Sequence, residues 1–340
     1  PYDGVRFMTL SVSNAMADTA TVQTDRPVLV MHTEPQQTLA LLSERYPNLQ
    51  FQAVTHGDLV AGALAEYDPE IVFSISGPAF PRACFEAVFS HPRLKWMQVG
   101  GSGYDHLPAW DKDRIKITHC AGVLAPYLAE TITGAMLALN GHFLHYRTLQ
   151  SVGDWRPMPF RPLADQTLLI IGFGAIGQRL AHNAKALGMR VLATRRTPGD
   201  HALADEVHGS ERDVLLSLLP QADIVSLHLR FDTSTKRYFD AECFDAMKQG
   251  SIFINTARGR VVNQADMNAA LQSGKFRGAY LDVFEREPLP ADDPLWQAPN
   301  TLITPHSSDN ILGFTDYYTT FFADNLSRYL AGTDLSNEID

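Results

Sequence analysis

The sequence predicts an α/β protein built on doubly wound parallel sheets. Short apolar runs alternate with helical patterns along almost the whole chain, a pattern typical of parallel strands covered by helices. A second observation is the stretch 168–177, in which a wholly apolar run ends in G-x-G-x-x-G and continues into a helix-forming segment. The third is length: 340 residues exceed what one core usually supports, so two domains are expected.

The first third of the chain predicts one parallel sheet. Strands are expected at 28–31, 51–54, 71–75, 96–99 and 115–118. Helices are expected between them at 37–46 and 81–89. A long helix is predicted at 125–149, and Pro126 is tolerable there because it lies in the first turn.

The glycine motif opens a second sheet. Strands are expected at 168–171, 190–194, 224–229, 251–255, 278–282 and 302–304. Six short strands with intervening helices make a complete doubly wound sheet. The tail 314–330 predicts an amphipathic helix whose apolar positions are Phe314, Tyr317, Phe321, Phe322, Leu326 and Tyr329.

The glycines of the motif predict a dinucleotide site. Gly172 allows the tight turn, Gly174 lets the backbone approach a pyrophosphate, and Gly177 lets helix and strand pack closely. The free N–H groups at the start of the helix favour negative charge. The predicted cofactor-binding residues of this turn are Gly172, Phe173, Gly174, Ala175, Ile176 and Gly177.

Two adjacent arginines follow the second strand of this sheet. An enzyme specific for NAD places an acidic residue here for the ribose hydroxyls, whereas arginine accommodates a 2′-phosphate. Arg195 and Arg196, with no carboxylate before Asp200, therefore favour NADP, with NAD still open. The alternative is that they are ordinary solvated arginines at a strand end.

An arginine, a carboxylate and a histidine follow three further strands. Ligands bind outside the carboxyl ends of such strands, which directs attention to Arg258, Glu287 and His306. Singly, each has an ordinary interpretation as a surface ion pair, a solvated loop acid or a core histidine. Their joint arrangement is what favours a catalytic site.

The chain resembles the D-isomer-specific 2-hydroxyacid dehydrogenase family from about residue 27 to residue 332. The matching segments are L-K-W-M-Q-V-G-G-S-G-Y-D-H at 94–106, the glycine motif, N-T-A-R-G at 255–259, L-D-V-F-E-R-E-P at 281–288 and T-P-H at 304–306. Several separate motifs in the right order and spacing make the resemblance specific.

The resemblance implies roles for individual residues. It places the catalytic arginine, glutamate and histidine on Arg258, Glu287 and His306. Its carboxylate-binding backbone loop falls on Gly101, Ser102 and Gly103, and its acceptor for the nicotinamide amide falls on Asp282. Thr256 and Ala257 are expected to contact the cofactor as well.

The resemblance also implies an architecture. It is a Rossmann nucleotide domain at 123–307 and a flavodoxin-like substrate domain at 25–122 and 308–340, with a cleft between them. A homodimer packed through the nucleotide domain, with the long helix after Ala125 taking part, is expected on the same ground.

The expected function is NADP-preferring reduction of a small 2-oxo acid to the D-2-hydroxy acid. Arg258 would grip the substrate carboxylate, His306 would supply the proton, and Glu287 would raise the pKa of the histidine. Glyoxylate and hydroxypyruvate are the leading substrates, and formate and phosphite dehydrogenases are relatives with other substrates. The alternative of another class is a nucleotide-sensing corepressor-like binding protein of the same fold.

Three positions depart from the family pattern. Arg230 stands where proline is usual and is either a further 2′-phosphate contact or merely exposed. His119 occupies a position often taken by asparagine and is interpreted as structural. The run 307–310, S-S-D-N, points to no particular substrate.

Composition excludes several other classes. A net charge of −10 without a basic run argues against nucleic acid and membrane surfaces as partners, and no segment reaches the length of a membrane span. The three scattered cysteines predict neither a disulfide framework nor a metal site, so a reducing, cytoplasmic setting is expected. Residues 1–24 are predicted to be a tail that is partly expression-derived, with a native start at Met16; a genuine mobile arm is the alternative.

Overall fold

The computed structural model describes residues 26–75, 77 and 79–339, so the predicted tail at 1–24 lies outside the described residues. The described residues form two parallel sheets with helices on their faces, as the α/β prediction requires.

The first sheet has five strands in the order β2-β1-β3-β4-β5. All of its pairings are parallel. The strands are β1 Val28–Met31, β2 Phe51–Val54, β3 Ile71–Ser74, β4 Trp96–Val99 and β5 Lys116–His119. The helices that connect them are α1 Gln36–Arg45, α2 Val60–Tyr67 and α3 Arg82–Ser90.

The second sheet has seven strands in the order β12-β11-β10-β9-β6-β7-β8, again all parallel. The strands are β6 Thr167–Ile171, β7 Arg190–Thr194, β8 Glu206–His208, β9 Ile224–Leu227, β10 Ser251–Asn255, β11 Phe276–Leu281 and β12 Thr301–Ile303. The helices are α4 Ala125–Asn140, α5 Phe143–Val152, α6 Ala175–Ala186, α7 Arg212–Leu218, α8 Ala241–Ala246 and α9 Gln264–Gln272.

The strand order puts the glycine motif at the switch point of the second sheet. The chain runs from β6 to β7 on one side and later returns to β9 on the other, so a crevice opens at the carboxyl end of β6. Helix α6 starts at Ala175, directly after Gly174. Its buried positions Gly177, Leu180, Ala181 and Ala184 recur at helical spacing and pack on the sheet.

All the predicted strands form, with ends that shift by one or two residues, and one strand was missed. The missed strand β8 contains Glu206, Val207 and His208, so it offers no apolar run to recognise. It pairs at the edge of the sheet with β7. An edge strand has one neighbour only, and its local sequence is correspondingly weakly constrained.

The prediction of one long helix at 125–149 is wrong. The chain forms α4 and α5, separated at Gly141 and His142. Glycine is a poor helix former, and His142 adopts a left-handed backbone with φ 59°, which turns the chain between the two helices. The register of apolar residues continues across this break, which is why periodicity alone did not reveal it.

The last helix, α10 Phe314–Ala331, returns to the first sheet. Its Phe322 is fully buried and stacks on Phe73, with ring centroids 4.4 Å apart, and on Trp96, at 5.2 Å. The predicted substrate domain, made of 25–122 and 308–340, implies this kind of return, and its boundaries stay a prediction. Within the described residues, no helix combines the length and the apolar character that crossing a bilayer requires.

We expect Phe322→Ala to lower the free energy of unfolding by about 3–5 kcal/mol, because a large ring is lost from a closed core. Urea denaturation followed by circular dichroism measures this change. The matched control is Leu312→Ala, a side chain that is fully exposed and should change stability by less than about 0.5 kcal/mol. Equal stability of Phe322→Ala and the control would show that the ring stack does not hold α10 on the sheet.

Candidate active site

The ends of β10, β11 and β12 and the loop after β4 meet at one cleft. Two adjoining cavities of about 400 and 910 Å³ occupy it. Gly103, Asp105, Arg258 and His306 line both cavities, and Glu287 lines the smaller one. The structure therefore brings together the arginine, the carboxylate and the histidine that the sequence predicts.

His306 and Glu287 form a hydrogen-bonded ion pair. The Nδ1 atom of His306 lies 2.7 Å from Oε2 of Glu287, and the other carboxylate oxygen accepts the backbone N–H of Phe284 at 2.9 Å. The bond to Glu287 raises the pKa of His306, although burial opposes it. Burial also opposes ionisation of Glu287, but the bonds from His306 and Phe284 hold its pKa below the usual range. The pair favours imidazolium beside carboxylate.

Asp282 fixes the segment that carries His306. Its carboxylate is buried and accepts hydrogen bonds from the hydroxyl of Thr304 at 2.5 Å, the N–H of Ser307 at 2.9 Å, and the N–H and hydroxyl of Ser308 at 3.3 and 2.6 Å. Its carbonyl accepts the N–H of His306 at 2.8 Å, where the histidine backbone is left-handed with φ 49°. These four bonds use the acceptor positions of the carboxylate. A contact with the cofactor amide, expected from the resemblance, stays a prediction.

Arg258 reaches the cleft because two glycines let backbones come close. A Cβ on Gly259 would overlap the backbone at Phe284, so glycine is needed where the chain after β10 crosses the chain after β11. A Cβ on Gly103 would overlap the guanidinium of Arg258. The arginine also donates to its neighbour's carbonyl at Ala257 and lies 3.5 Å from Asp105.

The loop at 101–103 lines the same cleft. Gly101 has φ 134°, and its carbonyl accepts the N–H of Cys120 at 2.7 Å. The carbonyl of Ser102 accepts the Nδ1 proton of His119 at 2.8 Å. Among the described residues, the N–H groups of Ser102 and Gly103 meet no acceptor. His119 therefore supports this loop through one hydrogen bond while also lining the cleft, and its purely structural role stays a prediction.

The crevice at the end of β6 fits a dinucleotide. Gly172 has φ 101°, and a Cβ there would strike the carbonyl of His228; a Cβ on Gly177 would come within 2.5 Å of the carbonyl of Gly172. A Cβ on Gly174 would point into open space, so the backbone is accessible there. The cavity wall also carries two buried polar atoms without a protein partner in the described chain, Oγ1 of Thr256 and Nδ1 of His228.

Arg195 and Arg196 lie beside this crevice at the end of β7. Arg196 is exposed and Arg195 is partly buried, with an unpartnered Nε atom. The backbone N–H of Arg195 donates to the carbonyl of His208 in β8 at 3.1 Å. No ion pair with a carboxylate engages either arginine in the part of the chain that the structure describes. Their charge is therefore available to an anionic group.

The family model of the D-isomer specific 2-hydroxyacid dehydrogenase, NAD binding domain, matches residues 133–308. The chain belongs to the D-isomer-specific 2-hydroxyacid dehydrogenase family. It is an NAD(P)-dependent oxidoreductase acting on 2-oxo or 2-hydroxy acids.

Individual relatives agree with this family. The chain is 35% identical over 223 residues to glyoxylate/hydroxypyruvate reductase B of Escherichia fergusonii, covering 63% of this chain and 68% of the relative. A family member from Aeromonas salmonicida superposes with a TM-score of 0.80 and 30% identity, covering 93% and 99% of the two chains. An NADPH-dependent glyoxylate/hydroxypyruvate reductase from Sinorhizobium meliloti, solved with NADP and sulfate, gives 0.78 and 26%, covering 93% and 98%.

Sequence reasoning missed two members of the dehydrogenase cleft. Asp105 lies 3.5 Å from Nε of Arg258 and 3.6 Å from Nη2 of Arg260, although it stands inside the motif at 94–106 that carried the resemblance. His228 is buried, which lowers its pKa to about 4 and keeps its ring neutral. The signal available for His228 was its place directly after β9, and for Asp105 its place in the loop after β4.

In the dehydrogenase, we expect Glu287→Gln to move the titration midpoint of His306 to lower pH. The carboxylate that stabilises imidazolium is lost, while burial continues to favour the neutral ring. Resonances of the His306 ring followed by NMR across the pH range measure the midpoint.

The matched control for this titration is Glu285→Gln, which removes the same charge from the same loop but pairs with Arg237 instead. It should leave the His306 midpoint nearly in place. Superimposable titration curves for the wild type and Glu287→Gln would contradict the assigned coupling.

Proposed function

We propose that the enzyme reduces a small 2-oxo acid, glyoxylate or hydroxypyruvate, to the D-2-hydroxy acid with NADPH as the preferred cofactor. The observation that carries the proposal is the convergence of Arg258 and the His306–Glu287 pair on one cleft beside the glycine loop. The glyoxylate/hydroxypyruvate reductases among the relatives support the choice of substrate.

Arg258 suits the carboxylate of a 2-oxo acid. Its guanidinium is a planar fork that binds carboxylate oxygens in pairs, and Gly103 lets it lie against the loop after β4. The free N–H groups of Ser102 and Gly103 would bind the other carboxylate oxygen. The arginine would also polarise the adjacent carbonyl. The substrate is thus held by charge on one side and by backbone on the other.

His306 supplies the proton. A bound nicotinamide cofactor supplies the hydride that reaches the carbonyl carbon. Because Glu287 engages Nδ1 of His306, Nε2 is the nitrogen that donates its proton to the carbonyl oxygen, which becomes the alcohol. Glu287 keeps the ring charged before the transfer and keeps it oriented afterwards. In the oxidative direction the neutral ring accepts the same proton.

The glycine loop and the two arginines suit NADP. Gly172 to Gly177 would hold the pyrophosphate, and Thr256 and Ala257 line the cleft next to Arg258. Arg195 and Arg196 would pair with the 2′-phosphate, because their guanidinium groups have no competing carboxylate among the described residues.

A panel of 2-oxo acids run in parallel with NADPH and NADH tests the proposed function. Absorbance at the nicotinamide band measures turnover of glyoxylate, hydroxypyruvate, pyruvate and a bulkier aliphatic 2-oxo acid. We expect the highest kcat/KM with glyoxylate or hydroxypyruvate and NADPH. Absence of turnover with all four acids would overturn the proposal.

Arg258→Lys should raise KM for the oxo acid and lower kcat. Lysine keeps the charge but loses the paired donors, so substrate binding and carbonyl polarisation both weaken, together about ten- to a hundredfold in kcat/KM. Steady-state kinetics gives both constants, and fluorescence titration gives the Kd of NADPH, which should hold.

Arg237→Lys is the control for that substitution, since this exposed arginine pairs only with Glu285 in the described chain. A collapse of NADPH affinity in Arg258→Lys with unchanged oxo-acid kinetics would show that the arginine serves the cofactor instead.

Arg195→Asp should move the preference from NADPH towards NADH. The change removes a partner of the 2′-phosphate and supplies an acceptor for the ribose hydroxyls. The ratio of kcat/KM with NADPH to kcat/KM with NADH should therefore fall about ten- to a hundredfold. Arg190→Ala, at the opposite end of β7, is the control, because that arginine pairs with Glu206. An unchanged ratio of these two values in Arg195→Asp would contradict the assignment of Arg195 to the 2′-phosphate.

We further propose that the enzyme is a cytoplasmic homodimer. The exposed apolar side chains around α5 are unusually large for a free surface: Phe143, Val152, Trp155 and Phe160 are 61%, 74%, 96% and 60% exposed. They follow α4, the helix that the family resemblance places at the dimer contact. The three cysteines are free and buried, in keeping with a reducing compartment. Sedimentation equilibrium measures the assembly state.

A further inference from the structure

Arg230 follows β9 of the seven-stranded sheet, but its contacts lie on the loop after β4 of the five-stranded sheet. Its guanidinium carbon is 5.2 Å from the centre of the Tyr104 ring, and its Nη1 donates to the Tyr104 hydroxyl. Its other contact is a 3.7 Å approach to Asp232 on its own loop. Arg230 therefore joins the two sheets across the mouth of the cleft by a hydrogen bond and a cation–π contact.

Tyr104 is linked through His119 to the loop that would bind the substrate carboxylate. Its ring meets the ring of His119 edge to face, with centroids 5.5 Å apart and an interplanar angle of 88°. His119 in turn donates from Nδ1 to the carbonyl of Ser102. Because a carbonyl oxygen only accepts, this bond places the proton on Nδ1. Burial lowers the pKa of His119, and nearby Arg230 lowers it further, so the ring stays neutral. A continuous set of contacts thus runs from Arg230 to Ser102.

Within the described residues, Asp105 supplies two further ties between this loop and the seven-stranded sheet. It lies 3.5 Å from Arg258 and 3.6 Å from Arg260, both at the long end for an ion pair. Under the proposed function, Arg258 turns its fork to the substrate carboxylate during the reaction. Its contact with Asp105 then competes with substrate. The Arg230–Tyr104 contact does not use Arg258, so it persists while Arg258 holds the substrate.

The geometry does not favour Arg230 as a 2′-phosphate contact. Strands β7 and β9 lie on opposite sides of β6, so Arg195 and Arg230 leave the sheet two strands apart. At about 4.8 Å between neighbouring strands, that separates the strand ends by roughly 10 Å. Arg230 is instead aimed across the cleft at Tyr104.

We propose that Arg230 is a positioning residue that holds the 101–104 loop against the seven-stranded sheet through Tyr104. It keeps the N–H groups of Ser102 and Gly103 within reach of the carboxylate that Arg258 binds. This role requires no contact of Arg230 with the reacting atoms or the cofactor. The proposal rests on the proposed function for the identity of the substrate, and its mechanical part is measurable without any substrate.

Amide hydrogen exchange in the free enzyme tests the mechanical part. We expect Arg230→Ala to speed exchange at 101–106 by about ten- to a hundredfold, the range set by loss of a charged hydrogen bond and a cation–π contact. Tyr104→Phe keeps the ring and loses the hydroxyl, so it should give a smaller increase. Combining the two changes should add nothing to Arg230→Ala.

Kinetics with glyoxylate and NADPH tests the consequence for the reaction. Arg230→Ala should raise KM for glyoxylate about tenfold, lower kcat by less than about threefold, and leave the Kd of NADPH unchanged. Arg230→Lys retains the charge and a donor and should recover part of the KM. If Arg230→Ala disturbed the fold as a whole, kcat and the affinity for NADPH would fall together. Arg230→Lys would then not recover KM.

Arg45→Ala is the matched control. Arg45 makes the same kinds of contact, a 2.7 Å ion pair with Asp324 and a 5.7 Å approach to the Tyr46 ring, but within one half of the molecule. It should leave exchange at 101–106 and KM in place.

Four outcomes decide between these possibilities. Unchanged exchange in Arg230→Ala overturns the proposal, and so does weaker NADPH binding with an unchanged KM for glyoxylate. Faster exchange together with the KM change supports it. Faster exchange in an enzyme whose wild type turns over no 2-oxo acid supports the loop contact and overturns the proposed function instead.

Discussion

The buried carboxylate of Asp282 is the interaction on which the cleft depends. Asp282 directly follows β11, and its carboxylate accepts hydrogen bonds from Thr304, Ser307 and Ser308 in the segment after β12. Its backbone carbonyl accepts the N–H of His306. A histidine in a left-handed backbone conformation is costly in isolation, and these bonds keep it there. The imidazole of His306 then contacts Glu287, which lies a few residues after Asp282 in the loop that follows β11. A single buried acid thus sets the direction of the His306 ring.

Close approach of backbones is the second constraint. A side chain at Gly103, in the loop after β4, would take the space of the Arg258 guanidinium, and a side chain at Gly259 would strike the backbone at Phe284. The placement of Arg258 therefore depends on two glycines, which have no functional group of their own. The same holds at the nucleotide turn, where Gly172 lets the chain pass close to His228 after β9 and Gly177 lets α6 pack on β6. Functional groups here are positioned largely by residues without side chains.

Charge is distributed unevenly over the molecule. The chain has a net charge of −10, yet its cleft gathers Arg230, Arg258, Arg260 and a histidine whose pKa is raised. These groups offer a small anion several charged hydrogen-bond donors. Carboxylates line the same cleft, among them Asp105, Glu285 and Glu287, so the cleft as a whole is not basic. Recognition of an anion there depends on where the arginines lie and not on net charge.

The sequence by itself determined most of the fold and the site residues that end strands. Apolar runs located every central strand, because a strand buried on both faces is largely apolar. The spacing of glycines located the nucleotide turn, since each has a local steric reason. Arg258, Glu287 and His306 were found because parallel strands end at one edge, so residues distant in the chain become neighbours.

Only the tertiary structure decided what those residues touch. The edge strand β8, the four bonds to Asp282 and the contact of Arg230 with Tyr104 leave no local trace. Each depends on atoms that are brought together from remote segments, and the Arg230 contact crosses 126 positions of the chain. Periodicity and spacing report on neighbours along the sequence. Partners across a cleft are set by how two sheets pack, which is a property of the folded chain alone.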